Sequence, residues 1–437
     1  MANIKNAPHV VWMFYGILLY EIAGLGSLFF SWSNYLCMLG VIITIIAFTR
    51  APKLPIPVAA KVSVTLLYVT IVFMVCRGSL IGNTPHLYGE GPLPNSSMYD
   101  IIRFFLVNPY STFAILFPFV ILVDWRIDEF MYLRKIALVS SFASIVAYFV
   151  FKDYIALADE FGRTQFANAS GFVSVRSLAN QIFVGLGAVL CMSWSFQYLI
   201  QKKIYWILLL ILFLNFFCHV SGGGRGNSVI ALGYILLFFL FLYNSSKSGY
   251  IRRSKIRSVF AVLFVAFVVV VYYLATKTSF LDLLISRTFE GGDINAGLRE
   301  SSREEYMGAM IQDFNTDFLS WIFGRGVNGC YSLGKNNLRS SLEWGYMWLI
   351  LKGGVIYLVL YVYILIKAFA NGYRKSKNAL ARSLGFLCLV QVLLLVPFGL
   401  PTVSIQCLLV WHSVRLLNSP TFLNLSDSEV HRMINNK

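Results

Sequence analysis

Apolar runs of about 17 to 25 residues recur along the whole chain, and each is long enough to cross ~30 Å of hydrocarbon. That recurrence leaves few folds open. A soluble core cannot absorb so many uninterrupted apolar stretches, and backbone polar groups in lipid are satisfied only within helices or closed barrels. Only 13% of the residues are charged and 58% are hydrophobic, and mean hydropathy is +0.69. Soluble domains carry nearer ~25% charge. The expected class is therefore an all-α, polytopic integral membrane protein.

The runs place spans near 8–30, 33–49, 58–76, 107–124, 136–151, 177–200, 204–220, 228–243, 259–275, 343–370, 383–398 and 401–417, about twelve in all. The first, Pro8 to Phe30, is of spanning length and lacks an Ala-x-Ala ending, so it is expected to be retained. With the N-terminus inside, alternate connections and their flanks hold 22 of the 36 lysines and arginines with five acids. The other side keeps 14 basic and 14 acidic residues. This bias places both termini in the cytoplasm. The five positive charges between Lys247 and Arg257, free of acids, suit a clamp on anionic headgroups. Lipid topology accounts for the net charge of +16, and nucleic acid is not an expected partner. The seven cysteines lie almost entirely within or beside apolar runs, so neither a disulfide framework nor a metal pattern is implied.

Three outer connections exceed what a turn needs. Arg77–Tyr110 contains a Gly/Pro/Asn-rich stretch, and Lys152–Arg176 contains Asp159-Glu-Phe-Gly-Arg163. The third, Thr276–Leu342, is 67 residues long and carries Arg287, Arg299, Arg303, Arg325 and Arg339. The chain is expected to form one membrane domain, 1–437, with 276–342 as a large, partly helical outer loop. Arginines on the outer face run against the usual bias and suggest a bound anion there.

Four patterns could carry chemistry. Gly297 to Phe314 fits an amphipathic helix with Arg299, Arg303, Tyr306 and Met310 on one face. Two guanidinium groups at i and i+4 suit a shared phosphate, although Glu300, Glu304 and Glu305 can also neutralise them in a solvated face. Val220-Ser-Gly-Gly-Gly-Arg-Gly-Asn-Ser228 sits between two spans. Glycines there allow a ligand close to backbone N–H groups beside Arg225, and a plain flexible hairpin is the competing reading. Phe323-Gly-Arg-Gly-Val-Asn-Gly329 could shape a pocket lip. Glu343-Trp-Gly-Tyr…Leu-Lys-Gly-Gly354 opens a span with Glu343 at its mouth and Lys352 inside it. Ionisable groups there are expensive and usually functional, while Gly353-Gly354 suits a close crossing or a break. No Asp-x-Asp, His-x-x-x-His or Cys-x-x-Cys lies on the outer face, so neither a metal nor another cofactor is expected.

In this order, the Ser-Gly-Gly-Gly-Arg-Gly hairpin, the arginine-bearing loop helix, Gly-Arg-Gly and the Glu-Trp-Gly-Tyr…Leu-Lys-Gly-Gly opening resemble the Wzy-type O-antigen polymerases and the related O-antigen ligases. The resemblance covers mainly residues 215–370. It implies a GT-C-like glycosyltransferase of the bacterial inner membrane, active on the periplasmic face. Its donor and acceptor would be undecaprenyl-diphosphate-linked oligosaccharides, with a chain-length regulator and a flippase as further partners. The family's functional arginines carry over to Arg225 and to Arg299 or Arg303. Ligases open the following span with a histidine, where Glu343 stands nearby here, which favours polymerase over ligase. The Arg-x10-Gly pattern of some polymerases occurs as Arg176…Gly187. Arg225, Arg299, Arg303 and Glu343 are thus the expected catalytic groups. Arg163, Arg176, Tyr306, Arg325, Arg339 and Lys352 are expected around the substrate. A flippase or exporter of the same lipid-linked sugars is the rival class.

Overall fold

The computed structural model describes residues 9–26, 32–77, 113–129, 235, 302–334, 337–340, 342, 344–396 and 403–435, with shorter pieces within 132–146 and 207–214. The chain divides into two units, Met1–Ile136 with Ser302–Lys437, and Ala137–Ser301. The described residues of the second unit are helical. The first unit is a helical bundle, described below.

Its elements are α1 (His9–Gly26), α2 (Ser33–Arg50), α3 (Lys61–Cys76), α4 (Ser302–Phe314), α5 (Phe318–Phe323), β1 (Tyr331–Gly334), β2 (Asn337–Arg339), α6 (Gly345–Arg374), α7 (Ala379–Leu394), α8 (Ile405–Leu417), α9 (Pro420–Asn424) and α10 (Asp427–Asn435). Val58–Cys76 and Gly345–Arg374 are long and apolar enough to cross a membrane by length and composition, and four further apolar helices are shorter. The expected spans at 177–200, 259–275 and, save residue 235, 228–243 lie outside the described residues. The expected span at 107–124 appears as a 3-10 helix, Phe113–Leu122, with Pro118 inside it. Proline lacks the N–H that an α-helical bond would use.

Helices α1 and α2 cross at glycine. A Cβ on Gly16 would lie 2.6 Å from the Gly40 carbonyl oxygen, and one on Gly40 would lie 2.6 Å from that of Gly16. Small residues at a crossing bring apolar helices to backbone contact without needing a hydrophobic drive. Elsewhere apolar side chains stay uncovered in helical stripes. Val62, Leu66, Val69 and Val72 on α3 and Val355, Val359, Tyr363 and Ile366 on α6 are all exposed. Soluble surfaces seldom carry such contiguous apolar area.

Helix α6 is broken. Gly354 has φ 71° and ψ −176°, outside helical space. A Cβ there would lie 2.0 Å from the Ile322 carbonyl oxygen, so only glycine fits. The bend at the break follows from its neighbours. Gly372 packs on the Ala381 carbonyl, and the N–H of Gly345 donates to Leu395 O at 2.9 Å. At about 1.5 Å per residue, a straight α6 would hold Gly345 and Gly372 ~40 Å apart. Helix α7 covers only ~21 Å between Ala381 and Leu395, which limits that separation to ~30 Å. The two arms therefore cannot be collinear. The long arm, Val355–Arg374, keeps ~30 Å of length, and the short arm, Gly345–Gly353, turns across the end of the bundle.

At the opposite end the connections expected on the cytoplasmic side meet one another. Lys53 pairs with Val123 in an isolated bridge. Arg415 Nη1 donates to Pro55 O at 2.6 Å. Asn378 caps α7 and donates to Phe422 O at 2.9 Å, and the Ala379 N–H donates to Asp427 Oδ1 at 2.7 Å.

Candidate functional site: the outer loop and its seat on the broken helix

A broken helix leaves carbonyls without their i+4 donors, and here the loop supplies replacements. Gly324 and Gly326 both have positive φ, 67° and 82°, which turns the chain tightly enough to point successive N–H groups at α6. Arg325 N–H donates to Leu351 O at 2.8 Å, and Gly326 N–H to Lys352 O at 2.9 Å. The next N–H, of Val327, donates to Met74 O at the end of α3 at 3.2 Å. The Gly-Arg-Gly segment is therefore a plug joining two long apolar helices rather than a pocket lip.

That turn carries Arg325 inward, where it is 3% exposed. Its Nη1 lies 2.6 Å from Asp313 Oδ2 and 3.0 Å from Cys330 O, and its Nε donates to Ser320 Oγ at 3.2 Å. The guanidinium also covers the Phe314 ring at 4.5 Å. Asp313 accepts the Ser332 N–H at 2.9 Å as well, tying α4 to β1. Arg325 was expected to touch substrate. The structure instead spends its donors on protein acceptors and makes it the centre of the loop's own core. Lys352 is similarly withdrawn: buried, over the Trp348 ring at 5.9 Å, it donates to Gly329 O at 2.8 Å and holds the plug in place. Beside it, burial pushes the Cys330 thiol up to about 11, with Lys352 and Arg325 opposing, so it is neutral at ordinary pH.

Two expected residues do meet at the surface. Arg339 on β2 lies with its guanidinium 4.4 Å from the centre of the Tyr306 ring on α4. It stands opposite Tyr331 in the hairpin register. The Tyr331 hydroxyl is buried without a hydrogen-bond partner among the described residues, and burial pushes it up to about 12, with Arg339 opposing. Arg339 is exposed. The result is a guanidinium stacked on one tyrosine and neighbouring a second, a surface suited to a sugar ring or a phosphate.

The expected loop helix is present over its described part, Ser302–Phe314, with Met310 buried on it. The backbone of Arg303 lies in its first turn. Arg163, Arg176, Arg225, Arg299 and Glu343 lie outside the described residues. Sequence reasoning missed Asp313, Ser320 and Arg77. Arg77 closes α3 and lies 3.9 Å from Asp317 Oδ2. Burial lowers its affinity for its proton, with Asp317 opposing and Arg325 adding to the effect. The missed signal was Asp313: a carboxylate between Met310 and Phe314 on the apolar face of α4 needs a buried cation.

No family model, curated protein or solved structure matches this chain. The family expectation accordingly rests on the motifs quoted above. Among the described residues no cluster of three or more His, Cys, Asp or Glu side chains is placed to hold a metal ion.

Proposed function

We propose that the chain is a membrane glycosyltransferase of the O-antigen polymerase type, working on the outer face of a bacterial inner membrane. The carrying observation is that the loop is bolted to the membrane helices and presents a basic–aromatic surface. A tether would need neither the plug at Leu351 and Lys352 nor the Arg325–Asp313 core. A mount does need them, because catalytic groups must be held to within about 0.5 Å.

In this reading an acceptor sugar hydroxyl attacks the anomeric carbon of a glycan held on undecaprenyl diphosphate. The new glycosidic C–O bond forms as the bond to the diphosphate oxygen breaks, and the electron pair leaves with the lipid diphosphate. Arg225 with Arg299 or Arg303 stabilises that developing charge without a metal, and Glu343 takes the hydroxyl proton. Tyr306 and Arg339 bind the saccharide. An exporter would use a broken helix as an ion or substrate site; here the freed carbonyls are already satisfied by the loop, which favours the enzyme.

The test is chain length. Arg225→Ala and Arg299→Ala should leave the amount of folded protein unchanged and abolish chain extension. Arg339→Ala should shorten the distribution without abolishing it. Wild-type polymer lengths in both Arg225→Ala and Arg299→Ala would refute the proposal.

A further inference from the structure

Arg77 has no part in the reading above, yet its surroundings are unusual. It is the first residue past α3, and its side chain is only 12% exposed. Its one ion-pair partner among the described residues, Asp317 Oδ2, is 3.9 Å away, too far for a hydrogen bond. Its Nε is buried with no partner among the described residues. Asp317 is committed elsewhere: its carboxylate accepts from Leu319 N–H at 3.1 Å and from the Ser320 hydroxyl at 2.7 Å, capping α5. A half-buried guanidinium whose Nε lacks a partner among the described residues gains free energy when an anion arrives.

An apolar wall adjoins it. Phe323 of α5 packs on Phe73 with ring centres 5.5 Å apart, and Phe73 precedes Arg77 by one helical turn on the same face of α3. On the same short helix Phe318 is 72% and Leu319 55% exposed. Large exposed apolar side chains on a connecting helix, next to the end of a membrane-length helix, call for a non-aqueous neighbour. A cation short of partners above such a wall matches an amphiphile whose charged end is a phosphate.

We infer that Arg77 and the outward face of α5 form a binding site for a phosphate-bearing lipid, with the phosphate on the Arg77 guanidinium and the chain along Phe318, Leu319 and Phe323. Two sources share this chemistry: a bilayer phospholipid and a polyprenyl diphosphate. The inference deepens the proposed function, since the second source is the class of its donor.

The experiment measures binding of labelled farnesyl diphosphate to the full chain in phosphatidylcholine nanodiscs. Arg77→Gln should weaken binding about tenfold or more, the worth of a charge-assisted contact. Asp317→Asn retains an N-cap and removes the competing carboxylate, so it should bind as tightly or several-fold tighter. Replacing Phe318 and Leu319 with serine should weaken farnesyl diphosphate but not inorganic pyrophosphate. Competition by phosphatidylglycerol placed in the discs assigns the site to bilayer lipid, and lack of competition assigns it to the polyprenyl form. Undiminished binding in Arg77→Gln overturns the inference, as does inorganic pyrophosphate binding as tightly as the farnesyl form. Should Arg77→Gln not fold, undiminished farnesyl diphosphate affinity in the Phe318→Ser/Leu319→Ser variant overturns it equally. The readout is binding, so its failure leaves the polymerase reading standing. Unaltered chain lengths in Arg225→Ala and Arg299→Ala would refute that reading and leave the lipid site intact.

Discussion

Arg325 shows how a charge can be placed for architecture in a segment whose other charges invite ligands. Removing one partner of a buried pair typically costs ~3–5 kcal/mol, because the other charge is left unpaired. Arg325→Met should therefore loosen α4 and the hairpin, seen as proteolytic cleavage of the loop at protease levels the wild type resists. Arg325→Lys should rescue little, since the guanidinium reaches Asp313 and the Cys330 carbonyl through Nη1 and Ser320 through Nε, a spread that a single ammonium does not reproduce. Adding Asp313→Leu to Arg325→Met should recover much of the resistance, because no buried charge then remains alone. A loop equally resistant in Arg325→Met would contradict this role. The arginine was conspicuous in the sequence and its partner was not. Asp313 lies 12 positions upstream among the acids of α4, and only the turn at Gly324 and Gly326 brings the two together.

At the scale of elements, the break in α6 decides how loop and bundle join. Gly354→Ala would force a Cβ into the Ile322 carbonyl and hold a side chain at φ 71°, so a large drop in thermal stability is expected. Gly308 lies on α4 with open space where a Cβ would go. Gly308→Ala should be neutral or stabilising by ~0.5–1 kcal/mol, and thermal unfolding of the two variants in one detergent checks both. The long apolar elements were legible: 33–49, 58–76 and 343–370 lie within a few residues of α2, of α3 with its preceding turn, and of α6. Runs of apolar residues fix helices in lipid whatever their partners are. The bend at Gly354 was only half legible, as a Gly353-Gly354 pair compatible with either a crossing or a break. Helix α5 and the hairpin were not foreseen, because Phe318–Phe323 is too short for a periodic pattern and Tyr331–Arg339 lacks strict alternation.

At the scale of the first unit, the contacts separate two ends. The connections around 50–57, 122–129, 371–382 and the C-terminal segment meet at one end, while the loop, the break in α6 and Arg77 occupy the other. We propose that the first end is cytoplasmic. A cysteine at Ser428 should react with an impermeant maleimide only after the cells are opened, and one at Leu338 should react in intact cells whose outer membrane has been permeabilised. The reverse pattern would invert the topology and remove the loop from the compartment of its proposed substrate. The central claim is polymerisation, and the most direct measurement is the surface polysaccharide profile of a strain lacking this chain. The account expects the ladder of chain lengths to collapse to a single repeat unit and to return with the wild-type chain but not with Arg225→Ala. An unchanged ladder would contradict it, as would complete loss of attached polymer, which marks a ligase, or intermediates trapped in the cytoplasm, which mark a flippase.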